Sequence, residues 1–295
     1  MRTSAFVVAL TLLVLASSGR SESSDPRAVS LASRAFVLGD IKATATPVVD
    51  DDDYAAHACA GDMIEIAGDY CPWVDQHCLR YLESGPEEPK LRCAEFRRSG
   101  PCNMTTEHKH FCIDRYEWPN RRGEVPPVSM TWYDAKASCA SIGKRLCQDD
   151  EWTLACEGQE HLPYPYGYSR NSEACNTDRT YRLPDNQLYA WPPTRAAEVV
   201  RLDQREPSGA RESCVSPYGV HDMAGNVDEW VTNETQRCKP FCSGLKGGAW
   251  TPVRNRCRPM TTAHEEKFHY YQVGFRCCAE LRAKKAPASG TSGNR

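Results

Sequence analysis

The sequence predicts an α+β fold with little regular secondary structure, held together by disulfide bonds. Three observations support this prediction. The chain has 16 cysteines in 295 residues, an even number that allows full pairing. Two segments have helical periodicity, while residues 160–280 are rich in Pro, Gly, Asn and Tyr and contain no long periodic stretch. A domain of such short elements needs disulfides or bound calcium to stabilise it.

The charges of the chain are nearly balanced. Lys and Arg number 36 against 39 Asp and Glu, which gives a formal net charge of −3. This balance provides no electrostatic basis for binding nucleic acid or anionic membranes. Sixteen cysteines are also too many for an ordinary reduced cytosolic protein of this size.

Residues 1–22 have the pattern of a secretory signal peptide. Arg2 precedes an apolar run over residues 5–16, and the small residues Ser17, Ser18 and Gly19 follow it. The run is shorter than the ~20 residues that span a bilayer. We therefore predict a secreted or periplasmic protein with no membrane span after cleavage.

Composition divides the rest of the chain. Residues 23–55 are rich in Ser, Asp, Ala and Pro and predict a disordered linker, and residues 283–295 predict a disordered tail. Residues 56–109 predict a Cys-rich N-terminal region. Its cysteines, with Cys112 just beyond it, show no CxxC pair that would hold zinc, so we expect disulfides. Six cysteines allow 15 pairings, and the sequence does not choose among them.

Two helices are marked by their ends. In the first, Thr131 and Asp134 form a capping pattern, and Gly143 ends the segment. Its apolar stripe consists of Trp132, Ala135, Cys139 and Ile142. The second helix is predicted to begin with Asp149 as its cap and to stop at Gly158.

An ordered series of motifs follows between residues 110 and 280. The series runs Phe111-Cys112-Ile113-Asp114-Arg115-Tyr116-Glu117, Pro127-Val128-Ser129-Met130-Thr131-Trp132, Gly143-Lys144-Arg145-Leu146, Gly225-Asn226-Val227-Asp228-Glu229-Trp230, Lys246-Gly247-Gly248-Ala249-Trp250 and Gly274-Phe275-Arg276-Cys277. In this order the motifs resemble the formylglycine-generating enzyme, or sulfatase-modifying factor, family. The resemblance implies the family's compact α+β fold, related to C-type lectins, over residues 110–282.

The family's reference activity oxidises a cysteine of a sulfatase peptide to formylglycine, using oxygen and copper held by two cysteines. Soft thiolates are the ligands that Cu(I) selects. An ungapped alignment puts Pro252 at the first of these positions and Cys257 at the second. In an alternative alignment, Arg254-Asn255-Arg256-Cys257 matches a later motif whose cysteine is structural. Under either alignment the pair is absent, so we expect no copper, and Cys257 is the one catalytic candidate.

The resemblance also implies two disulfides, Cys139–Cys277 and Cys156–Cys257. Cys238 and Cys242 are expected to pair with each other or with Cys214. The neighbours Cys277 and Cys278 are expected to have different partners, because adjacent cysteines seldom bond each other.

The family places a structural calcium ion in the segment 222–229. The side chains of Asp222 and Glu229 and the carbonyls of Gly225 and Val227 form the oxygen set that calcium prefers. A weaker second site would use Asn176 and Asp203. Both sites would be structural.

Histidines offer no clear iron site. His108 and His110 are close in sequence but are expected to be exposed, and His264 and His269 are expected near a surface groove.

Because the copper-binding cysteine pair is absent, the sequence favours a binding module for an exported peptide or protein. The alternatives are an oxidoreductase with altered metal chemistry or with Cys257 as a sole thiol, and a purely structural exported protein.

Overall fold

The computed structural model of the chain describes residues 58–85 and 91–282. The predicted signal peptide, linker and tail lie outside these residues. Within them, no helix combines the length and the apolar character needed to cross a membrane.

Short strands form three sheets in this part of the chain. The strands are β1 (Met63–Tyr70), β2 (Cys78–Tyr81), β3 (Cys93–Phe96), β4 (Glu107–Asp114), β5 (Arg145–Leu146), β6 (Asp228–Thr232), β7 (Ser243–Lys246), β8 (Met260–Thr261), β9 (Val273–Phe275) and β10 (Cys277–Ala279). Their orders are β1-β4-β10-β5, β2-β3 and β8-β7-β6-β9. Mixed short strands with few helices confirm the predicted α+β class.

The first sheet joins the Cys-rich region to the rest of the chain. β1 pairs with β4 along its whole length, from Met63 opposite Asp114 to Tyr70 opposite Glu107. The predicted boundary between residues 109 and 110 falls inside β4, which also pairs with β10. The Cys-rich region therefore shares a sheet with the C-terminal end of the described chain.

The third sheet brings distant motifs together. β6 runs antiparallel to β7 and parallel to β9, with Glu229 opposite Lys246 on one side and Gly274 on the other. This pairing places the segment 225–230 between the Gly-Gly turn that follows β7 and the Gly-Phe-Arg motif of β9.

The first predicted helix is present as α1 (Trp132–Ser141). Thr131 Oγ1 accepts a hydrogen bond from the Asp134 N–H (3.1 Å), and the Asp134 carboxylate accepts one from the Thr131 N–H (3.0 Å). Ile142 differs from the prediction. It lies beyond the last helical residue and is 51% exposed, because the chain turns away from the core before Gly143.

The second predicted helix is α2 (Asp149–Glu157), which ends at Gly158 as expected. The predicted cap is wrong by one residue, since Gln148 is the extended N-cap. The Asp149 carboxylate instead accepts hydrogen bonds from the N–H groups of Glu234 and Thr235 (2.9 and 3.1 Å). The Asp149 carboxylate, predicted to cap the helix, therefore accepts its hydrogen bonds from a turn 85 residues away.

Two further helices, α3 (Asn186–Ala190) and α4 (Pro192–Leu202), lie where the sequence predicts irregular structure. Asp185 caps α3, and Pro192 occupies the first turn of α4, where its missing N–H costs nothing. The prolines of this segment predict a loop, but in the structure they form the first turn of α4.

All sixteen cysteines lie in the described residues and form eight disulfides. Cys139 bonds Cys277 and Cys156 bonds Cys257, as the resemblance implies. The six N-terminal cysteines form three nested pairs, Cys59–Cys112, Cys71–Cys102 and Cys78–Cys93. The remaining pairs are Cys147–Cys278, Cys175–Cys214 and Cys238–Cys242. Cys238 thus pairs locally rather than with Cys214, and the neighbours Cys277 and Cys278 diverge.

Candidate functional site

A cleft of about 550 Å³ opens beside the turn that follows β7. Most of its walls are apolar, and a few polar side chains lie among them. The lining includes Leu245, Val253, Pro259, Phe268, Tyr270 and Val273, together with Asp228, Arg254, Thr261, His264 and Gln272. Concave, mainly apolar sites with a few placed polar groups are typical of ligand binding.

The two glycines of the turn shape one side of this cleft. Gly247 and Gly248 both have left-handed backbone angles (φ 87° and 70°). A Cβ on Gly248 would lie 2.9 Å from Asn255 Nδ2 and 3.0 Å from a methyl group of Val253. Glycine is therefore required for the turn to pack against the loop that carries Val253 and Arg254.

Cysteine chemistry is absent from the cleft. Cys257 is fully buried in its disulfide with Cys156, and neither it nor Pro252 lines the cleft. No free thiol exists among the sixteen cysteines. The candidate nucleophile or copper ligand of the sequence prediction is thus a structural half-cystine.

The histidines separate into two groups. His264 lines the cleft and stacks on Phe268, with ring centroids 3.8 Å apart, and burial lowers its pKa so that the ring is neutral at pH 7. His269 instead contacts the Tyr189 hydroxyl (3.0 Å). His108 and His110 lie on β4 and contact the carboxylates of Asp69 (2.9 Å) and Glu65 (2.7 Å), with the exposure that the sequence predicts.

Asp228, which the sequence analysis did not select, lies in the wall of the cleft at the start of β6. Its Oδ1 accepts a hydrogen bond from the Gly248 N–H (3.2 Å). Burial, helped by the neighbouring Glu229 charge, raises its pKa to about 7. The residue lies inside the segment 222–229. The sequence pattern predicts calcium ligands on either side of it, at Val227 and Glu229, but no role for Asp228 itself.

A second acidic group is buried beneath the cleft. Glu229 bonds Arg276 through both of its oxygens (2.6 and 2.7 Å) and accepts the Trp152 indole N–H (2.8 Å). Glu117 and Asp222 lie close by. Burial and the neighbouring carboxylates hold the pKa of Glu117 well above its usual range, and burial raises that of Asp222 to about 6. The Arg276 guanidinium is therefore the positive charge that acts on all three buried carboxyl groups.

This arrangement bears on the calcium expectation. Both Glu229 oxygens already accept hydrogen bonds, which come from Arg276 and Trp152. The Asp222 carboxylate accepts the Gly209 N–H (2.6 Å). In the described part of the chain, no group of three or more His, Cys, Asp or Glu side chains is placed to hold a metal ion. Calcium binding by Asp222, Gly225, Val227 and Glu229 stays a prediction from the resemblance.

The weaker second site is arranged similarly. Asn176 Oδ1 accepts a hydrogen bond from Arg179 (2.7 Å). Asp203 forms an ion pair with Arg205 (2.6 Å). Each proposed oxygen donor therefore already has an arginine partner, and calcium at this place also stays a prediction.

Comparison with known proteins decides the family. The model of the sulfatase-modifying factor enzyme 1-like domain matches residues 35–281, most of the chain. The chain belongs to the sulfatase-modifying factor family. The family match includes the Cys-rich region, which agrees with the sheet shared by β1 and β4.

Several known proteins are similar in sequence to this chain. The inactive C-alpha-formylglycine-generating enzyme 2 of Bos taurus is 28% identical over 169 residues, covering 53% of this chain and 50% of that protein. The formylglycine-generating enzyme of Mus musculus is 26% identical over 189 residues, 54% of this chain and 45% of that protein. The serine/threonine-protein kinase pkn1 of Chlamydia caviae is 27% identical over 236 residues, 72% of this chain and 33% of that protein. The chain thus spans a third to a half of these relatives.

Solved structures with similar folds include CarF and PvdO. CarF is 15% identical with a TM-score of 0.46, covering 75% of this chain and 98% of that chain. PvdO from Pseudomonas aeruginosa is 18% identical with a TM-score of 0.46, covering 74% and 94%.

Proposed function

We propose that the chain is an exported member of the sulfatase-modifying factor family that binds a peptide segment in the cleft and does not oxidise cysteine with copper. One observation carries this proposal. The cleft adjoins the Gly-Gly turn, and active members of the family hold their cysteine pair near this turn. In this protein no cysteine lines the cleft, and Cys257 forms a disulfide with Cys156. The eight disulfides support export, since such bonds persist in oxidising compartments.

The alternative hypothesis, an oxidoreductase, receives less support from Cys257 and from the groups that line the cleft. A thiol mechanism at Cys257 would first require reduction of a fully buried disulfide that closes a 101-residue loop. The cleft retains apolar walls, a carboxylate and an exposed arginine. These groups suit recognition of side chains and backbone carbonyls rather than cysteine oxidation.

Selection of peptides tests the binding function. A phage library of random heptapeptides is selected on the purified full chain, and enriched peptides are then measured by fluorescence polarisation. Val253→Trp fills the cleft, and we expect it to weaken binding at least about tenfold, because a ligand anchor would lose its pocket. Val200→Trp on α4 is the matched control, since Val200 is 75% exposed and lies outside the cleft.

Two outcomes would contradict the proposal. One is a library that yields no binding sequence. The other is a set of peptides whose affinity falls equally in the Val253→Trp and Val200→Trp variants. The first would show that the cleft takes no peptide, and the second would place the binding elsewhere.

A further inference from the structure

Buried carboxylates in this protein are mostly paired with a cation. Burying a carboxylate is costly unless a partner compensates its charge. Six of the buried acidic residues have a Lys or Arg nitrogen within 4.0 Å, namely Asp114, Asp150, Glu151, Glu157, Glu198 and Glu229. Glu117, Asp149 and Asp222 lack one, but all three accept hydrogen bonds inside the protein and none lines the cleft.

Asp228 is half-buried, unlike these nine residues. Within residues 58–85 and 91–282, no Lys, Arg or His nitrogen lies within 4.0 Å of its carboxylate. Its Oδ1 accepts a hydrogen bond from the Gly248 backbone N–H (3.2 Å). Asp228 also lines a cleft of about 550 Å³, so its missing partner has room to come from outside.

The walls around Asp228 add a second requirement for such a partner. Leu245, Phe268 and Val273 line the same cleft and offer a mainly apolar surface beside the carboxylate. A cation attached to a hydrocarbon stem satisfies both features, because the stem covers apolar surface while the charged end reaches the carboxylate.

The acceptors in the cleft favour one of the two basic side chains. A lysine ammonium carries three N–H donors on one nitrogen, whereas a guanidinium spreads five donors over a rigid plane. Asp228, Thr261 and Gln272 line the cleft, and each has a side-chain oxygen that can accept a hydrogen bond. Three acceptors match the three donors of a compact ammonium.

We propose that the cleft binds a lysine side chain of a peptide, with Asp228 as the carboxylate that pairs with the lysine ammonium. This inference rests on the proposed peptide-binding function and specifies its ligand. Arg254 is exposed at the cleft and donates to Thr261 Oγ1 (3.3 Å). It is placed to meet a carbonyl or carboxylate of the same peptide.

Isothermal titration with four matched peptides tests the inference. The peptides are acetyl-Gly-Ala-Xaa-Ala-Gly-amide with lysine, Nε-acetyllysine, arginine or norleucine in the centre. At pH 8 we expect the full chain to bind the lysine peptide about tenfold or more tighter than the acetyllysine and norleucine peptides, and tighter than the arginine peptide. The Asp228→Asn variant should lose the preference for lysine over norleucine.

Stability measurements show whether Asp228→Asn acts by misfolding. Asparagine keeps the shape of the side chain, and its amide oxygen can still accept the Gly248 N–H. Asp228→Asn should therefore unfold cooperatively with a Tm close to that of the wild type. Asp75→Asn, at a side chain that is 59% exposed and outside the cleft, should change neither Tm nor peptide binding.

The outcomes separate this inference from the function on which it rests. Equal binding of the lysine and acetyllysine peptides, or of lysine and arginine, would overturn the lysine assignment. So would a lysine preference that survives Asp228→Asn. If library peptides bind in a Val253-dependent way while these results are obtained, the peptide-binding function stands and the lysine assignment alone fails. If no peptide binds at all, both fail.

Discussion

Removing both disulfides that end at Cys277 and Cys278 should lower the free energy of unfolding by about 6–7 kcal/mol, whereas removing either one should cost about 2–3 kcal/mol. The reason is that the two bonds close almost the same loop. Cys139–Cys277 spans 138 residues and Cys147–Cys278 spans 131. The Cys156–Cys257 bond lies inside both loops and shortens the closed path to about 38 residues. When one is absent the other still closes the long loop, and the loss is that of a short ring of about nine residues.

Denaturant unfolding measures this non-additivity. The variants are Cys139→Ala with Cys277→Ala, Cys147→Ala with Cys278→Ala, and all four together. Because a domain of this size has a total stability of about 5–15 kcal/mol, the fourfold variant should be largely unfolded at 37 °C while each double variant folds. The control is Cys238→Ala with Cys242→Ala, whose bond spans only four residues and should cost about 2 kcal/mol.

The result that would contradict this argument is additivity. If each pair alone costs about 4 kcal/mol, the two bonds do not share a loop in the unfolded chain. If the removal of neither pair changes the stability, hydrophobic packing holds the ends of this loop together without the disulfides.

Replacing Arg276 by methionine should destabilise the protein by about 3–5 kcal/mol. Arg276 is fully buried and its guanidinium is the cation that bonds Glu229. Its loss leaves Glu229, Glu117 and Asp222 buried without a positive charge. A buried pair contributes little net stability, but one unpaired buried charge is costly.

The same variant should show a characteristic pH dependence. Burial already raises the pKa of Glu117 and Asp222 above the values of the unfolded chain, so these groups cost stability as pH rises. Without Arg276 this cost increases, and the loss of Tm should be larger at pH 8 than at pH 5.5. Thermal unfolding at the two pH values measures the difference.

Arg121→Met is the matched control for this experiment. Arg121 forms a surface pair with Glu124 (3.2 Å) and its side chain is 71% exposed. Its replacement should change the stability by less than about 0.5 kcal/mol at either pH. Equal effects of the two substitutions would show that the buried carboxylates are neutral without Arg276.

Local features of the fold are predictable from the sequence. Thr131 and Asp134 identify the start of α1 because a capping box involves only residues close in the chain. The motif series predicts the family fold because it runs through most of the domain in one order. The disulfides of Cys139 and Cys156 follow from the same resemblance.

Long-range pairing explains what the sequence does not show. Two of the nested N-terminal disulfides, Cys59–Cys112 and Cys71–Cys102, depend on β1 lying along β4, and Cys78–Cys93 depends on the pairing of β2 with β3. Nothing local to these strands specifies their register. Glu229 was assigned to calcium because its neighbours alternate as oxygen donors. Its partner Arg276 lies 47 residues further along the chain and meets it through the parallel pairing of β6 and β9.

The same reason applies to the cleft. In the sequence, Asp228 stands between two predicted calcium ligands, and nothing marks it as a binding residue. In the folded chain it lines a cleft together with Gly248 and Phe268, which are far from it in sequence. The sequence alone cannot show that this carboxylate lacks a cation.

We expect this protein to lack the cysteine-oxidising activity of the formylglycine-generating enzyme. The direct measurement is mass spectrometry of a Cys-x-Pro-x-Arg peptide incubated with the purified full chain, copper and oxygen. The formylglycine-generating enzyme of Mus musculus serves as the active control under the same conditions. We predict that the peptide cysteine is unchanged by this protein. Conversion of that cysteine to formylglycine would contradict the account, because none of its sixteen cysteines is free to bind copper.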